Sequence, residues 1–162
     1  MLPQKRLTEE EALKKIKHYC AWQERCHSEV KDKLYSFGLR TNAVDIILSN
    51  LIEDNYLNEE RFAITYAGGK FRMKNWGRKK IQYELQQKGV NKANIKIALK
   101  ELDEHEYLKT LKKLAGKKWL LLAGEHYLTR QAKITSYLLQ KGYEHTLISN
   151  IVSELAAESK KL

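Results

Sequence analysis

Three glycines set the frame for this chain. Gly38, Gly89 and Gly142 stand 51 and 53 residues apart, and the residues around them agree in phase without gaps. Eight before each glycine is a β-branched aliphatic: Val30, Ile81 or Ile134. Four before is a leucine: Leu34, Leu85 or Leu138. One after is an apolar residue: Leu39, Val90 or Tyr143. Six after stands Val44, Ile95 or Ile148, and thirteen after stands Leu51, Leu102 or Leu155. Such a period marks a repeat architecture. The aliphatic pair four residues apart lies on one helix face. The glycine takes the left-handed conformation that ends a helix, and the apolar residue after it folds back on the leucine. The later apolar positions, with Ile47, Ala98 and Ile151 between them, form the stripe of a following helix.

A longer helix is expected ahead of each pair. The first opens at "LTEEEA", where Thr8 and Glu11 read as a capping box and Leu7 with Ala12 as a hydrophobic staple. In the second repeat Asn58 is placed to cap "EERFAITYAGGKF", and in the third the helix covers roughly residues 104–123. The expected fold is all-α. Three tandem three-helix repeats occupy 1–57 (with an N-terminal arm), 58–103 and 104–162. One three-helix unit is small for a core, so the repeats should stack into an elongated, curved array. Composition agrees: the single proline, Pro3, precedes every expected helix, and Leu, Lys, Glu, Ala and Gln abound.

The net charge of +10 favours an acidic partner. No apolar run approaches the roughly 18 residues of a membrane span, and the first residues lack the apolar stretch of a signal peptide. Two cysteines, Cys20 and Cys26, make no disulfide framework. A cytoplasmic, monomeric protein is expected.

Enzyme readings find little support. "AGGK" at 67–70 and "AGK" at 115–117 resemble fragments of a phosphate loop, but Phe71 and Lys118 stand where Ser or Thr is needed. Glycines permitting close helix contact explain them better. "HYCAWQERCH" carries His18, Cys20, Cys26 and His27 at spacings that match no familiar zinc pattern. Cys20 shares its repeat phase with Phe71 and Gly124, which suggests a packing position. No catalytic set stands out, and neither a metal nor a cofactor is expected.

The basic segment "KFRMKNWGRKK", residues 70–80, is different. It holds Lys70, Arg72, Lys74, Arg78, Lys79 and Lys80 with no acid, and Phe71 and Trp76 interleave. Three of the cations open a helix whose first turn already carries positive dipole charge. The matching stretch of repeat one, "RCHSEV", has Ser28 and Glu29 instead. A local rule broken without visible compensation tends to mark function. Free backbone N–H groups, a dipole and three cations are expected to form an anion site for phosphate or carboxylate. Trp76 either stacks on a base or staples the turn before Gly77. A second basic run on the third repeat, Lys109, Lys112, Lys113, Lys117 and Lys118, either extends this stripe or solvates a helix face.

At these residues the chain resembles a known family. "YLNEERFAITY" at 56–66, "WGRKKIQYELQQKG" at 76–89 and "RCHSEVKDKL" at 25–34 are similar to the RecX regulatory proteins. The resemblance covers about residues 12–155 and is strongest in repeat two. It implies three tandem three-helix repeats and a non-enzymatic modulator, generally an inhibitor, of the RecA recombinase. It further implies binding to the RecA–single-stranded DNA filament, in its groove or at its end, with duplex DNA bound more weakly or non-specifically. It transfers no catalytic residues. A DNA-binding regulator of helix-turn-helix type, acting without RecA, is the competing expectation, and a scaffold binding protein alone is a third. A helix-turn-helix protein usually dimerises and reads bases from one recognition helix. A unit recurring three times, with cations at a helix start, favours backbone and filament contact.

Overall fold

The computed structural model describes residues 6–160. Pro3 and the first residues of the N-terminal arm lie outside the described residues, as do 161 and 162. The described residues form nine α-helices: α1 Glu9–Trp22, α2 His27–Ser36, α3 Thr41–Glu53, α4 Glu59–Lys74, α5 Arg78–Gln87, α6 Lys92–Lys100, α7 Glu104–Leu121, α8 Tyr127–Lys141 and α9 His145–Lys160. No strand occurs among the described residues.

The helix ends follow from local chemistry. Gly38, Gly89 and Gly142 all have positive φ, 86°, 82° and 99°. At Gly89 the closure is complete: its N–H donates to the Gln86 carbonyl at 3.0 Å and the Val90 N–H to the Leu85 carbonyl at 3.1 Å. Gly142 and Tyr143 repeat the pattern on Leu139 and Leu138 at 3.0 and 3.2 Å. The starts of α1, α4 and α7 are each capped by a side chain. Thr8 accepts from the Glu11 N–H at 3.1 Å, Asn58 from Arg61 at 2.9 Å and Asp103 from Glu106 at 3.0 Å. Two further left-handed ends, at Asn55 and Asn75 with φ 60° and 58°, were not expected. Asparagine is among the few non-glycine residues that visit this region.

The chain divides into two compact units, Met1–Tyr66 with Leu85–Ala98, and Ala67–Glu84 with Leu99–Leu162. In the first, α1, α2 and α3 pack pairwise. Their core joins Ala12, Ile16, Cys20, Val30, Leu34, Val44, Ile47, Leu51 and Leu57, with Leu7 packed at its edge. In the second, α7, α8 and α9 pack pairwise. Their buried side chains include Tyr107, Leu111, Ala115, Trp119, Ile134, Leu138, Tyr143 and Ile148.

Three packing expectations need correction. Gly69 and Gly116 lie inside α4 and α7, and a Cβ at either would meet nothing within 4 Å, so neither permits a close helix contact. The nearest atoms that a Cβ at Gly68 would meet belong to the guanidinium of its own helix neighbour Arg72, at 2.8 Å. Gly124, in phase with buried Cys20 and Phe71, is exposed, because α7 has already ended at Leu121. Leu155, in phase with buried Leu51 and Leu102, is only half-buried.

Candidate nucleic-acid interface

The basic segment spans the end of α4, a three-residue turn and the start of α5. Asn75 turns the chain out of α4 in the left-handed conformation, with its N–H on the Phe71 carbonyl at 3.0 Å. Gly77 then allows a close backbone approach. Its N–H donates to the Lys141 carbonyl at 2.7 Å, and the Lys79 N–H donates to the Gly142 carbonyl at 2.9 Å. Any side chain at Gly77 would collide: a Cβ there would stand 2.4 Å from the Gly142 carbonyl carbon and oxygen. The Tyr143 hydroxyl, on the residue after that glycine, donates to the Asn75 carbonyl at 2.9 Å.

These contacts overturn one expectation. The backbone N–H groups of Gly77, Arg78 and Lys79 are not free to hold an anion. The first and third are bound to the end of α8, and the Arg78 N–H donates to the Tyr107 hydroxyl at 3.0 Å. The compensation for three cations on a positive helix start also lies within the protein. The negative, carbonyl-rich end of α8 abuts that start. Arg78 donates to Glu144 at 2.8 Å and also pairs with Glu104. Its guanidinium lies 3.8 Å from the ring centre of Tyr107. Burial opposes the charge of Arg78, and the hydrogen bonds of Glu144 and Glu104 more than offset this. Tyr107, fully buried, donates in turn to Glu144. Burial first, and then that bond, push the Tyr107 phenol far above its ordinary range.

The other cations are placed differently. Lys70 and Lys80 both stand over the indole of Trp76, their ammonium nitrogens 5.1 and 4.6 Å from its ring. Arg72, Lys74 and Lys79 are exposed. Lys141, which sequence reasoning did not single out, reaches the Lys74 carbonyl at 3.4 Å. On α7 the buried stripe Tyr107, Leu111, Ala115 and Trp119 points Lys109, Lys112, Lys113 and Lys117 outward. Lys118 departs from them: it is half-buried, with its ammonium 5.0 Å from the Tyr137 ring. Glu104, Tyr107 and Glu144 were also missed, since each lies far along the chain from residue 78.

Both cysteine thiols are buried and free. Burial is the main cause raising the pKa of each. Cys26 bonds Ser28 and Glu29, each at 3.1 Å. Among the described residues no group of three or more His, Cys, Asp or Glu side chains is placed to hold a metal ion. No helix among them is long and apolar enough to cross a membrane.

Comparison with known proteins agrees with this architecture. Residues 58–99 match the second three-helix domain of RecX, and residues 104–152 match the third. The regulatory protein RecX of Clostridium perfringens strain 13 is 33% identical over 134 residues, which cover 81% of this chain and 62% of that protein. The RecX of Oceanobacillus iheyensis is 25% identical over 138 residues, covering 85% and 51%. The chain thus spans between half and two thirds of these relatives' length. The crystal structure of RecX from Lactobacillus salivarius superimposes with a TM-score of 0.83 at 26% identity, covering 92% of this chain and 97% of that one. Tandem three-helix domains, matched in sequence and in fold, place this chain in the RecX family of regulatory proteins.

Proposed function

We propose that this chain is a non-enzymatic regulator that binds RecA–single-stranded DNA filaments and restrains RecA's ATP turnover and strand exchange. Membership of the RecX family is the observation that carries this reading. The surface chemistry supports it. Arg72, Lys74 and Lys79 present exposed charge on the same short segment as Trp76, whose indole Lys70 and Lys80 flank. Exposed cations on a segment that also carries an aromatic ring suit a phosphate backbone with unstacked bases. Arg78 has a different part in this proposal: it holds the α5 start to Glu104 and Glu144, and the exposed cations do the contacting. Lys109, Lys112, Lys113 and Lys117 offer a second charged face on α7, with Lys118 at its edge.

The working units are the three repeats, 1–57, 58–103 and 104–162. Repeats recurring along one chain can each offer contacts to a filament. Protein and phosphate contacts add, so the filament should bind more tightly than bare DNA. A monomer working in the cytoplasm, where RecA filaments form, completes the reading.

The test is ATP hydrolysis by the cognate RecA on single-stranded DNA, with increasing amounts of this protein. Inhibition is expected. Inhibition well below stoichiometry would indicate capping of filament ends, and inhibition only near one chain per few subunits would indicate groove binding. No effect at excess, with filament binding no stronger than binding to bare DNA, would refute the RecA reading in favour of a plain DNA-binding regulator.

A further inference from the structure

The first unit carries a groove of about 830 Å³ that none of the chemistry above uses. One wall is an edge of α1, where Lys14, Lys15, His18 and Trp22 recur at helical spacing of three and four residues. The other wall is the face of α2 and its C-cap that brings Lys33 and Phe37 opposite. Four cations line it, counting Arg25, against the single carboxylate of Glu11.

The aromatic residues in this groove are not equivalent. The Tyr19 ring is already covered by Arg25, at 3.8 Å, and by Lys33, at 5.5 Å. Lys33 also reaches the Phe37 ring at 5.8 Å. Trp22 is left 76% exposed at the end of α1. Among the described residues Lys14 and Lys15 have no ion-pair partner, although Glu11 is near in sequence. A bare indole and unpaired ammonium groups on one helix edge leave two kinds of unmet interaction side by side.

We infer that this groove binds a short stretch of single-stranded nucleic acid, with a base stacked on Trp22 and phosphates held by Lys14, Lys15 and Lys33. A flat base with a phosphate on each side satisfies the indole and the lysines together, whereas an acidic peptide satisfies only the charge. A duplex keeps its base faces stacked internally and offers none to the indole. From Lys14 to Trp22 the helix edge rises about 12 Å. At about 3.4 Å per stacked nucleotide this accommodates roughly three nucleotides. The site is separate in residues from the basic segment of 70–80, and it acts without RecA.

The experiment uses the full chain and labelled oligothymidylate and oligouridylate, with binding followed by anisotropy across a salt series. Trp22→Ala should weaken binding about 5- to 150-fold, the range for losing one base stack. Trp22→Phe should recover most of it. Lys14→Gln with Lys15→Gln should flatten the salt slope by about 1.4. All three positions are exposed on α1, and circular dichroism confirms that the variants fold. Unchanged affinity in Trp22→Ala overturns the proposal. If a Lys74→Gln, Lys79→Gln variant loses binding while Trp22→Ala keeps it, the filament reading survives and the groove fails. Displacement of the oligonucleotide by polyglutamate as readily as by unlabelled strand also overturns it, since the groove would then read charge alone. A preference for oligouridylate or for oligothymidylate assigns the ligand to RNA or DNA.

Discussion

The start of α2 and the start of α5 occupy the same place in their repeats, and each meets the end of another helix. At α2 the contact is made by a side chain: the Ser28 hydroxyl donates to the Lys88 carbonyl at 2.7 Å, and Lys88 approaches Glu29 at 3.5 Å. Cys26, in the position of Gly77, keeps its side chain buried against Ser28 and Glu29. A Cβ at Gly89 would meet nothing within 4 Å. At α5 the contact is made by backbone alone, through Gly77 and Lys79 onto Lys141 and Gly142. A Cβ at Gly142 would stand 2.4 Å from that of Lys80. One joint is therefore bridged and tolerant, and the other is closed and intolerant. The closed joint also explains how Arg78, Lys79 and Lys80 sit at a positive helix start: the opposing carbonyls and Glu144 supply the negative charge.

The sharpest way to break this contrast is to add one methyl group to each joint. Gly77→Ala has no room and should cost ~3 kcal/mol, the upper range of overpacking. Gly142→Ala, clashing and left-handed at φ 99°, should cost about as much. Gly89→Ala meets only the conformational penalty, ~1 kcal/mol, and Gly89→Val at least that. Urea unfolding midpoints read all four, and equal losses at Gly77 and Gly89 would show that the joints do not differ.

Next in size is Tyr107→Phe. It leaves the Arg78 N–H without its acceptor and Glu144 Oε1 without its phenol donor, while Arg78 still donates to Glu144 Oε2, at a cost of ~1–3 kcal/mol. The same phenol gives the closed joint a pH signature. Tyr107 and Tyr143 are both held above the ordinary tyrosine range, in each case mainly by burial, with Glu144 adding to it. Above about pH 10 the unfolded chain ionises these phenols while the folded chain keeps their protons. The stabilisation is thus complete below pH 10 and is lost as pH rises beyond it, by up to ~1.4 kcal/mol per tyrosine per pH unit. Unfolding midpoints at pH 9 and 11 should fall accordingly, and Tyr107→Phe should lessen the fall. A midpoint independent of pH over that interval would contradict the buried placement. The smallest loss belongs to the open joint: Ser28→Ala should cost only ~0.5–1.5 kcal/mol.

The contrast also separates what sequence can carry from what it cannot. The nine helices were legible because their signals are local. A glycine four residues past a leucine, or Asn58 three residues before Arg61, reports its own cap. The partners of α5 were not legible, because Glu144 lies 66 residues from Arg78 and no local pattern links them. Read alone, 70–80 is a run of cations without acid. Folded, one of its cations belongs to two glutamates, and its backbone donors belong to α8 and Tyr107. The paired glycines of α4 misled for the opposite reason: a small residue invites a close-contact reading, yet space beside Gly69 is open. The exposed cations were found by composition and remain where composition put them, with Arg72, Lys74 and Lys79 at the surface.

That division of labour among the cations is the central claim, and the salt dependence of binding tests it most directly. Binding of the chain to RecA filaments assembled on single-stranded DNA with a non-hydrolysable nucleotide should be measured over a salt series. The proposed contacts predict that Lys74→Gln with Lys79→Gln flattens the slope by about 1.4, whereas Arg78→Gln lowers stability and leaves the slope of its folded fraction unchanged. An unchanged slope in the double variant, or a flattened one in Arg78→Gln alone, would contradict the account.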